Sequence, residues 1–149
     1  MLKKMIGAML LSLVLTGTAL GRSDTATDAR IDSLMGQGTH QQYHQFLTDL
    51  QQAVAKGDKH AVAGMVSYPI TVTVNQKKRK INTPRAFIQI YDRVFTPSYR
   101  KSIVDQQYAD VFARDMGIMV GEHGELWYSG ICHSQDCSKF TIKVIAINN

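Results

Sequence analysis

The sequence is short of charge and of the local signatures that mark common enzyme sites. Only 19% of its 149 residues are charged, and it contains three prolines and two cysteines. With 44% hydrophobic residues, it is too apolar for a disordered polycation and too short for two large domains. The glycine-rich loops that bind phosphates or dinucleotides are absent, as is the Gly-x-Ser-x-Gly elbow of serine hydrolases. The sequence therefore predicts one globular domain and argues against phosphoryl transfer and serine hydrolysis.

The first 21 residues have the pattern of a secretory signal peptide. Lys3 and Lys4 precede an apolar run at 5–15, and the small residues Ala19 and Gly21 mark a cleavage site. The run is shorter than the stretch of about 20 residues that spans a bilayer, and no cysteine follows it to carry a lipid. We expect a periplasmic or secreted protein, cut near Gly21, with no stable membrane anchor; an uncleaved anchor is the alternative.

Positive charge is concentrated in one run. The 17 basic and 12 acidic residues give a net charge of +5, and removal of residues 1–21 takes away two lysines and no acid. Four of the remaining cations are adjacent, at Lys77, Lys78, Arg79 and Lys80. A nucleic-acid surface needs a basic face built from several elements. We therefore expect no nucleic-acid partner and interpret the run as a solvated hairpin tip that discourages edge pairing.

Residues 22–66 predict a flexible lead-in and then two helices. Residues 22–38 are polar and small, with too few apolar positions for a helical stripe, so we expect at most one helical turn there. Thr39 is a candidate N-cap with Gln42 three residues later, Gly57 ends the first helix, and Asp58 caps the second. The stripe of the first helix is Tyr43, Phe46, Leu47, Leu50, Ala53 and Val54.

The rest of the chain predicts a hairpin, a third helix and a meander. Alternation at 70–74 indicates a strand. Thr83 and Pro84 open a helix whose inner face is Phe87, Ile90, Tyr91 and Val94, and which Thr96-Pro97 stops. Strands are predicted at 105–113, 116–120, 125–132 and 139–147, paired antiparallel in order through short turns. The predicted fold class is α+β, with three helices packed on a curved, mainly antiparallel sheet over residues 39–149.

This element order resembles the nuclear transport factor two-like cone-fold superfamily, as an exported bacterial member. The landmarks are Tyr68-Pro69, the basic hairpin, the run Phe87-Ile88-Gln89-Ile90-Tyr91-Asp92, and strands containing Gly121 and Trp127. The resemblance implies a sheet that wraps the helices and leaves a pocket at its wide end. Many members use that pocket for small molecules, and others fill it or dimerise, so fold alone does not determine function.

The two cysteines flank a short polar loop. Cys132 and Cys137 enclose four residues that include His133, Gln135 and Asp136, and an oxidising compartment would bridge them. The spacing differs from the Cys-x-x-Cys of redox sites, and zinc would need a further ligand. We expect no metal and no cofactor. A closed polar loop is ordered before a partner arrives, so His133, Gln135 and Asp136 are the predicted binding residues.

The same six residues are similar to the short cysteine-bounded loop that bacterial inhibitors of vertebrate lysozyme present, which also contains a histidine and an aspartate. His133 stands at a different place in the loop, and the surrounding elements differ from that family. The resemblance implies, as one concrete version of the binding function, an inhibitor or immunity protein that acts on a periplasmic hydrolase.

A second set of candidates belongs to the expected pocket. Tyr68, Tyr91 and Asp92 lie on elements that would line or border it, with Tyr43 and Tyr108, and buried carboxylates there could serve acid–base chemistry. Tyr43 and Tyr91 also fit core positions, Asp92 adjoins Arg93, and His40 and His44 are interpreted as surface residues.

Three functions follow from these observations. The leading hypothesis is an exported noncatalytic binding domain for an unknown protein or small-molecule ligand. The alternative is a small-molecule isomerase or hydratase that uses a cone-fold pocket. The third is a homodimer that associates through the outer face of the sheet.

Overall fold

A computed structural model describes residues 23–149, so the predicted signal peptide lies outside the described residues. Helices α1 (Asp24–Met35), α2 (His40–Lys56) and α3 (Lys59–Met65) come first, followed by strands β1 (Ile70–Val74) and β2 (Lys77–Ile81). Helices α4 (Pro84–Val94) and α5 (Pro97–Val104) and a 3-10 turn (Tyr108–Asp110) lead to the remaining strands. These are β3 (Phe112–Arg114), β4 (Gly117–Val120), β5 (Leu126–Cys132) and β6 (Phe140–Ile147).

The predicted α+β class and the antiparallel meander are confirmed. Strands β3, β4, β5 and β6 pair antiparallel in chain order, while β1 and β2 form a separate two-stranded sheet. The described part of the chain has five helices rather than the three predicted. No helix in residues 23–149 has the length and apolar content needed to cross a bilayer.

Helix α2 packs on the inner face of the four-stranded sheet. Five of its six predicted stripe positions are buried, and Phe46 is partly buried against the core. The Phe46 and Tyr43 rings lie 5.1 and 6.2 Å from that of Tyr128, whose hydroxyl donates to the Tyr43 carbonyl at 3.3 Å. Tyr128 is fully buried. The amphipathic stripe therefore fixes where α2 lies across β5.

Several predicted helix ends are confirmed. Gly57 ends α2 with φ of 66°, the left-handed conformation in which glycine has no side-chain clash. Asp58 accepts the Ala61 N–H, and Thr83 accepts the Ala86 N–H with Pro84 in the first turn. Thr39 stands at the predicted N-cap position of α2, but its side chain does not cap the helix, because its hydroxyl donates to the Gly36 carbonyl instead.

The flexible lead-in predicted for residues 22–38 is wrong, because residues 24–35 form helix α1. The helix packs through Ile31 and Thr27, which are 0% and 7% exposed, and the Thr27 hydroxyl donates to the Ala109 carbonyl. Arg30 donates to the Ala113 carbonyl on the edge strand β3. Because the buried face of α1 includes a threonine, its hydrophobic stripe is weak in the sequence. Tertiary contacts therefore stabilise this helix more than its own amphipathic pattern does.

The segment after Thr96 also differs from the prediction. Thr96 does not only end α4: its hydroxyl accepts the Tyr99 N–H, and Pro97 opens α5. The strand predicted at 105–113 is limited to residues 112–114. The Gln51 side chain donates to the carbonyls of Ile103, Val104 and Gln106, which holds the chain there in an irregular turn.

The basic run lies on a strand rather than at the hairpin tip. Asn75 and Gln76 have φ of 51° and 61° and make the two-residue turn between β1 and β2. Lys77, Lys78, Arg79 and Lys80 occupy β2 and are all exposed. The predicted placement of the turn is therefore wrong by a few residues.

Replacing Ile31 with alanine tests whether α1 belongs to the fold. We expect the free energy of unfolding to fall by about 2–5 kcal/mol, because the change leaves a cavity at a fully buried position. Chemical denaturation measures it, and Thr25→Ala on the exposed face of α1 is the control. An unchanged stability in Ile31→Ala would mean that the segment is a loose lead-in after all.

Candidate functional site

The cysteine-bounded loop joins β5 to β6 and is largely exposed. Strand β5 ends at Cys132, which pairs with Phe140 at the start of β6. His133, Gln135, Asp136 and Cys137 are exposed. The three predicted binding residues are thus brought together on one hairpin tip.

Cys132 and Cys137 form a disulfide bond, as predicted from their spacing. Their Cα atoms lie 4.8 Å apart. Cys137 has φ of 55°, in the left-handed region. The bond closes a ring of six residues, so the loop between the two cysteines is covalently connected at both ends to the paired ends of β5 and β6.

Hydrogen bonds order the loop inside this ring. The His133 N–H donates to the Lys139 carbonyl at 2.7 Å, and the Cys137 N–H donates to the Ser134 carbonyl at 3.1 Å. The His133 Nε2 lies 2.8 Å from the Thr141 hydroxyl. Both the N–H and the hydroxyl of Ser138 donate to Asp136 Oδ1. The loop therefore has one hydrogen-bonded conformation available before any partner binds.

Asp136 is the fixed negative charge of the loop. Hydrogen bonds from the Ser134 side chain and from the N–H and hydroxyl of Ser138 lower the pKa of this carboxyl to about 2. Because hydrogen bonds to a carboxylate favour its ionised form, Asp136 stays charged across the physiological range and presents an acceptor on the loop.

The other predicted site residues do not form one site with the loop, and their side chains have different surroundings. Tyr68 is half-buried, and its hydroxyl donates to the Ala63 carbonyl at 2.9 Å; burial raises its pKa to about 12. Tyr91 is 1% exposed and stacks on Phe95 at 4.6 Å. The Asp92 side chain is 81% exposed and lies 3.4 Å from the Lys59 ammonium. Of the three, Tyr91 belongs to the core and Asp92 to the surface.

The interior is filled by large side chains where a cone-fold pocket was expected. Phe87, Tyr91 and Tyr128 are each at most 1% exposed. Phe112 and Trp127 lie on the outer face of the sheet with their rings 6.3 Å apart, and Phe112 is 48% exposed. The side chains that could have entered a pocket either fill the core or face solvent.

A surface cleft of about 700 Å³ lies between α5 and the β4–β5 turn. Lys101 pairs with Asp105, and His123 Nδ1 lies 3.8 Å from Glu125 Oε1, whereas Asp110 and Glu122 line the cleft without a salt bridge to any described residue. The His123 side chain is 84% exposed. Small-molecule sites bury most of the ligand surface, so a cleft open to solvent, with its histidine exposed, is poorly suited to acid–base catalysis.

A polar cluster that the sequence did not predict lies between α1 and α2. The Asp32 carboxylate accepts the His40 N–H at 3.0 Å and lies 2.8 Å from the ring Nδ1. Asp28 accepts the Tyr108 hydroxyl at 2.7 Å, and the His44 ring stacks on Tyr108 at 3.6 Å. The signal was present, since two aspartates and two histidines are each four residues apart, but it requires α1 to be recognised as a helix.

Burial and hydrogen bonds together set the ionisation of this cluster. Partial burial acts to raise the pKa of Asp32, but hydrogen bonds from the N–H and ring of His40 and from Gly38 lower it below its usual value. Burial and the Asp28 hydrogen bond raise the pKa of Tyr108. Within residues 23–149, no three His, Cys, Asp or Glu side chains converge to hold a metal ion.

Comparison of the chain with protein-family models, curated proteins and solved structures found no match. The function of the protein is therefore inferred from its own residues and geometry.

Replacing both Cys132 and Cys137 with serine should lower the free energy of unfolding by about 2 kcal/mol, the chain-entropy value for so small a ring. Chemical denaturation of the oxidised protein measures the change. A reductant should produce the same loss in the unmodified protein and none in the double variant. Equal stability of the two proteins would show that the bridge does not stabilise the fold.

The Asp136 carboxyl should titrate with a pKa of about 2 in the folded protein, as followed by its side-chain ¹³C shift. Because this pKa lies below the unfolded value of about 3.9, the contribution of Asp136 to stability is present above about pH 4 and is lost as the pH falls towards 2. Ser134→Ala and Ser138→Ala should each raise the pKa. A pKa that stays unchanged in both variants would contradict the assigned cause.

Proposed function

We propose that this protein is an exported, noncatalytic binding domain that engages a protein partner through the loop between Cys132 and Cys137. The observation that carries the proposal is the state of this loop: exposed, closed by a disulfide and held by internal hydrogen bonds. A loop ordered in advance loses little conformational entropy on binding. Export rests on the signal pattern of residues 1–21 and agrees with the disulfide, since such bonds persist in oxidising compartments.

The size of the loop restricts the shape of its partner. A standard interface uses about 20–30 residues on each side, far more than the six residues of this ring. A narrow tip gains contact area when it enters a concave surface, and the active-site cleft of a hydrolase is such a surface. Inhibition of a periplasmic hydrolase is therefore the version of the binding function that we favour.

In this function each loop residue has a separate role. Asp136 supplies a permanent charge for a cationic or hydrogen-bond donor group in the cleft. Exposed Gln135 supplies both a donor and an acceptor. His133 is positioned by Thr141 and by its N–H bond to Lys139, so its ring is presented in one orientation.

The cone-fold assignment remains part of this proposal, supported by the element order and by the antiparallel sheet packed on helices. The isomerase or hydratase alternative has weaker support, because Asp92 faces solvent and Phe87 and Tyr91 fill the core. The homodimer hypothesis is supported by the exposed Phe112 on the outer face of the sheet. We expect this face to contribute less to binding a partner than the loop does.

Site-specific photocrosslinking tests the proposal in the exporting cell. A benzophenone side chain replaces Gln135 in the loop or, as the control, the exposed Gln89 on α4. We expect a discrete covalent adduct from position 135 only, and loss of that adduct when Cys132 and Cys137 are both serine. The same adduct from both positions, or one unaffected by removal of the bridge, would contradict binding through the loop.

A vertebrate lysozyme is a direct probe of the hydrolase version. The purified protein should slow cell-wall hydrolysis by this enzyme, and Asp136→Asn should weaken the inhibition by about tenfold or more, since a hydrogen-bonded charge is lost. Asp115→Asn, an exposed carboxylate in the β3–β4 turn, is the control. An adduct from position 135 without lysozyme inhibition would retain the binding function and reject this hydrolase as its target.

A further inference from the structure

His40 and Asp28 face each other in the groove between α1 and α2. Because the Asp32 carboxylate can only accept, Nδ1 of His40 is the donor of the bond between them, and in the neutral ring Nε2 is a hydrogen-bond acceptor. The Nε2 atom lies 4.0 Å from Asp28 Oδ2. The other Asp28 oxygen is already occupied by the Tyr108 hydroxyl. No donor from residues 23–149 forms a hydrogen bond with either facing atom.

The separation of these two acceptors selects the kind of group that fits between them. Two hydrogen bonds of about 2.8 Å to atoms 4.0 Å apart meet at the donor at about 90°, which two N–H groups of one ammonium can supply. A zinc ion bound at about 2.1 Å from both atoms would hold them at an angle of about 145°, wider than the tetrahedral angle. No third ligand of residues 23–149 completes a metal site.

The surroundings of the pair also favour a cation. Asp28 lines the groove, and so does His44, whose ring stacks on Tyr108 behind it; Asp32 adds a second carboxylate on the other side of the His40 ring. The groove has a volume of about 360 Å³ and is also lined by Gln41, Gln45 and Thr48. This space admits an alkylammonium chain but not a folded element.

We propose that this groove binds a primary ammonium group, held between His40 Nε2 and Asp28 Oδ2. The ligand is a small linear amine or the lysine side chain of a protein partner, which share this chemistry. The side chains of His40 and Asp28 are 26% and 31% exposed, so solvent screens the charges and binding is reversible. The site is independent of the disulfide loop.

Nuclear magnetic resonance of the purified protein tests this site with two amine probes. The probes are 1,5-diaminopentane and Nα-acetyl-lysine amide, with Nα-acetyl-norleucine amide as the uncharged control. We expect saturable shifts of the His40 and His44 ring signals and of backbone signals in α1 and α2 with the amines alone. The tighter of the two probes identifies whether the natural ligand is a free amine or a lysine side chain.

Asp28→Asn keeps the size of the side chain and an acceptor for Tyr108 but removes the charge. It should weaken amine binding by about tenfold or more, whereas Asp115→Asn should leave it unchanged. His40→Gln is a second variant should Asp28→Asn fail to fold. Absence of amine-dependent shifts, equal affinity in Asp28→Asn, or shifts with zinc chloride but not with the amines would each overturn the proposal.

Discussion

The packing of α2 across the inner face of β5 is the constraint on which the rest of the structure depends. Tyr43 and Phe46 place their rings beside the buried Tyr128 ring, and the Tyr128 hydroxyl donates to the α2 backbone. At the same place the Gly130 N–H donates to the Tyr43 hydroxyl. A Cβ at Gly130 would stand 2.9 Å from that oxygen, so this close approach requires glycine. Helix α2 therefore contacts the β5–β6 hairpin closely at Gly130, two residues before Cys132.

Both candidate sites follow from this arrangement. Beyond Gly130 the two strands continue past the contact with α2, and the disulfide closes the end that projects into solvent. The opposite side of α2 is left for α1, which brings Asp28 and Asp32 to His40. Helix α2 therefore packs on the sheet with one face and forms a polar groove with α1 on another. Both candidate sites lie at the surface because aromatic side chains fill the interior.

The parts predicted correctly from the sequence are those in which the local pattern and the tertiary contacts agree. The stripe of α2, the inner face of α4, the alternation of β1 and the cysteine spacing each describe a strong local preference. Helix α5 was missed although Thr96 and Pro97 repeat the capping pattern of Thr83 and Pro84; the proline was interpreted only as a stop. Helix α1 has no comparable local signal, because Thr27 fills a core position through a hydrogen bond to Ala109.

The difference between local patterns and long-range contacts also explains why the sequence predicted the loop but not the groove. The loop residues are adjacent in the sequence, so their proximity required only a hairpin. The groove joins Asp28 to His40 and Tyr108, and the last of these is 80 residues from Asp28. Such contacts cannot be inferred from spacing when one of the contributing helices is itself unrecognised.

The central claim is that the disulfide loop is ordered before a partner binds. Backbone ¹⁵N relaxation of residues 133–136 in the free protein tests it most directly. The account predicts order parameters near the value of about 0.85 found in rigid backbone, falling below about 0.6 when both cysteines are serine. Low order parameters with the bridge intact, or equal values in the two proteins, would contradict it.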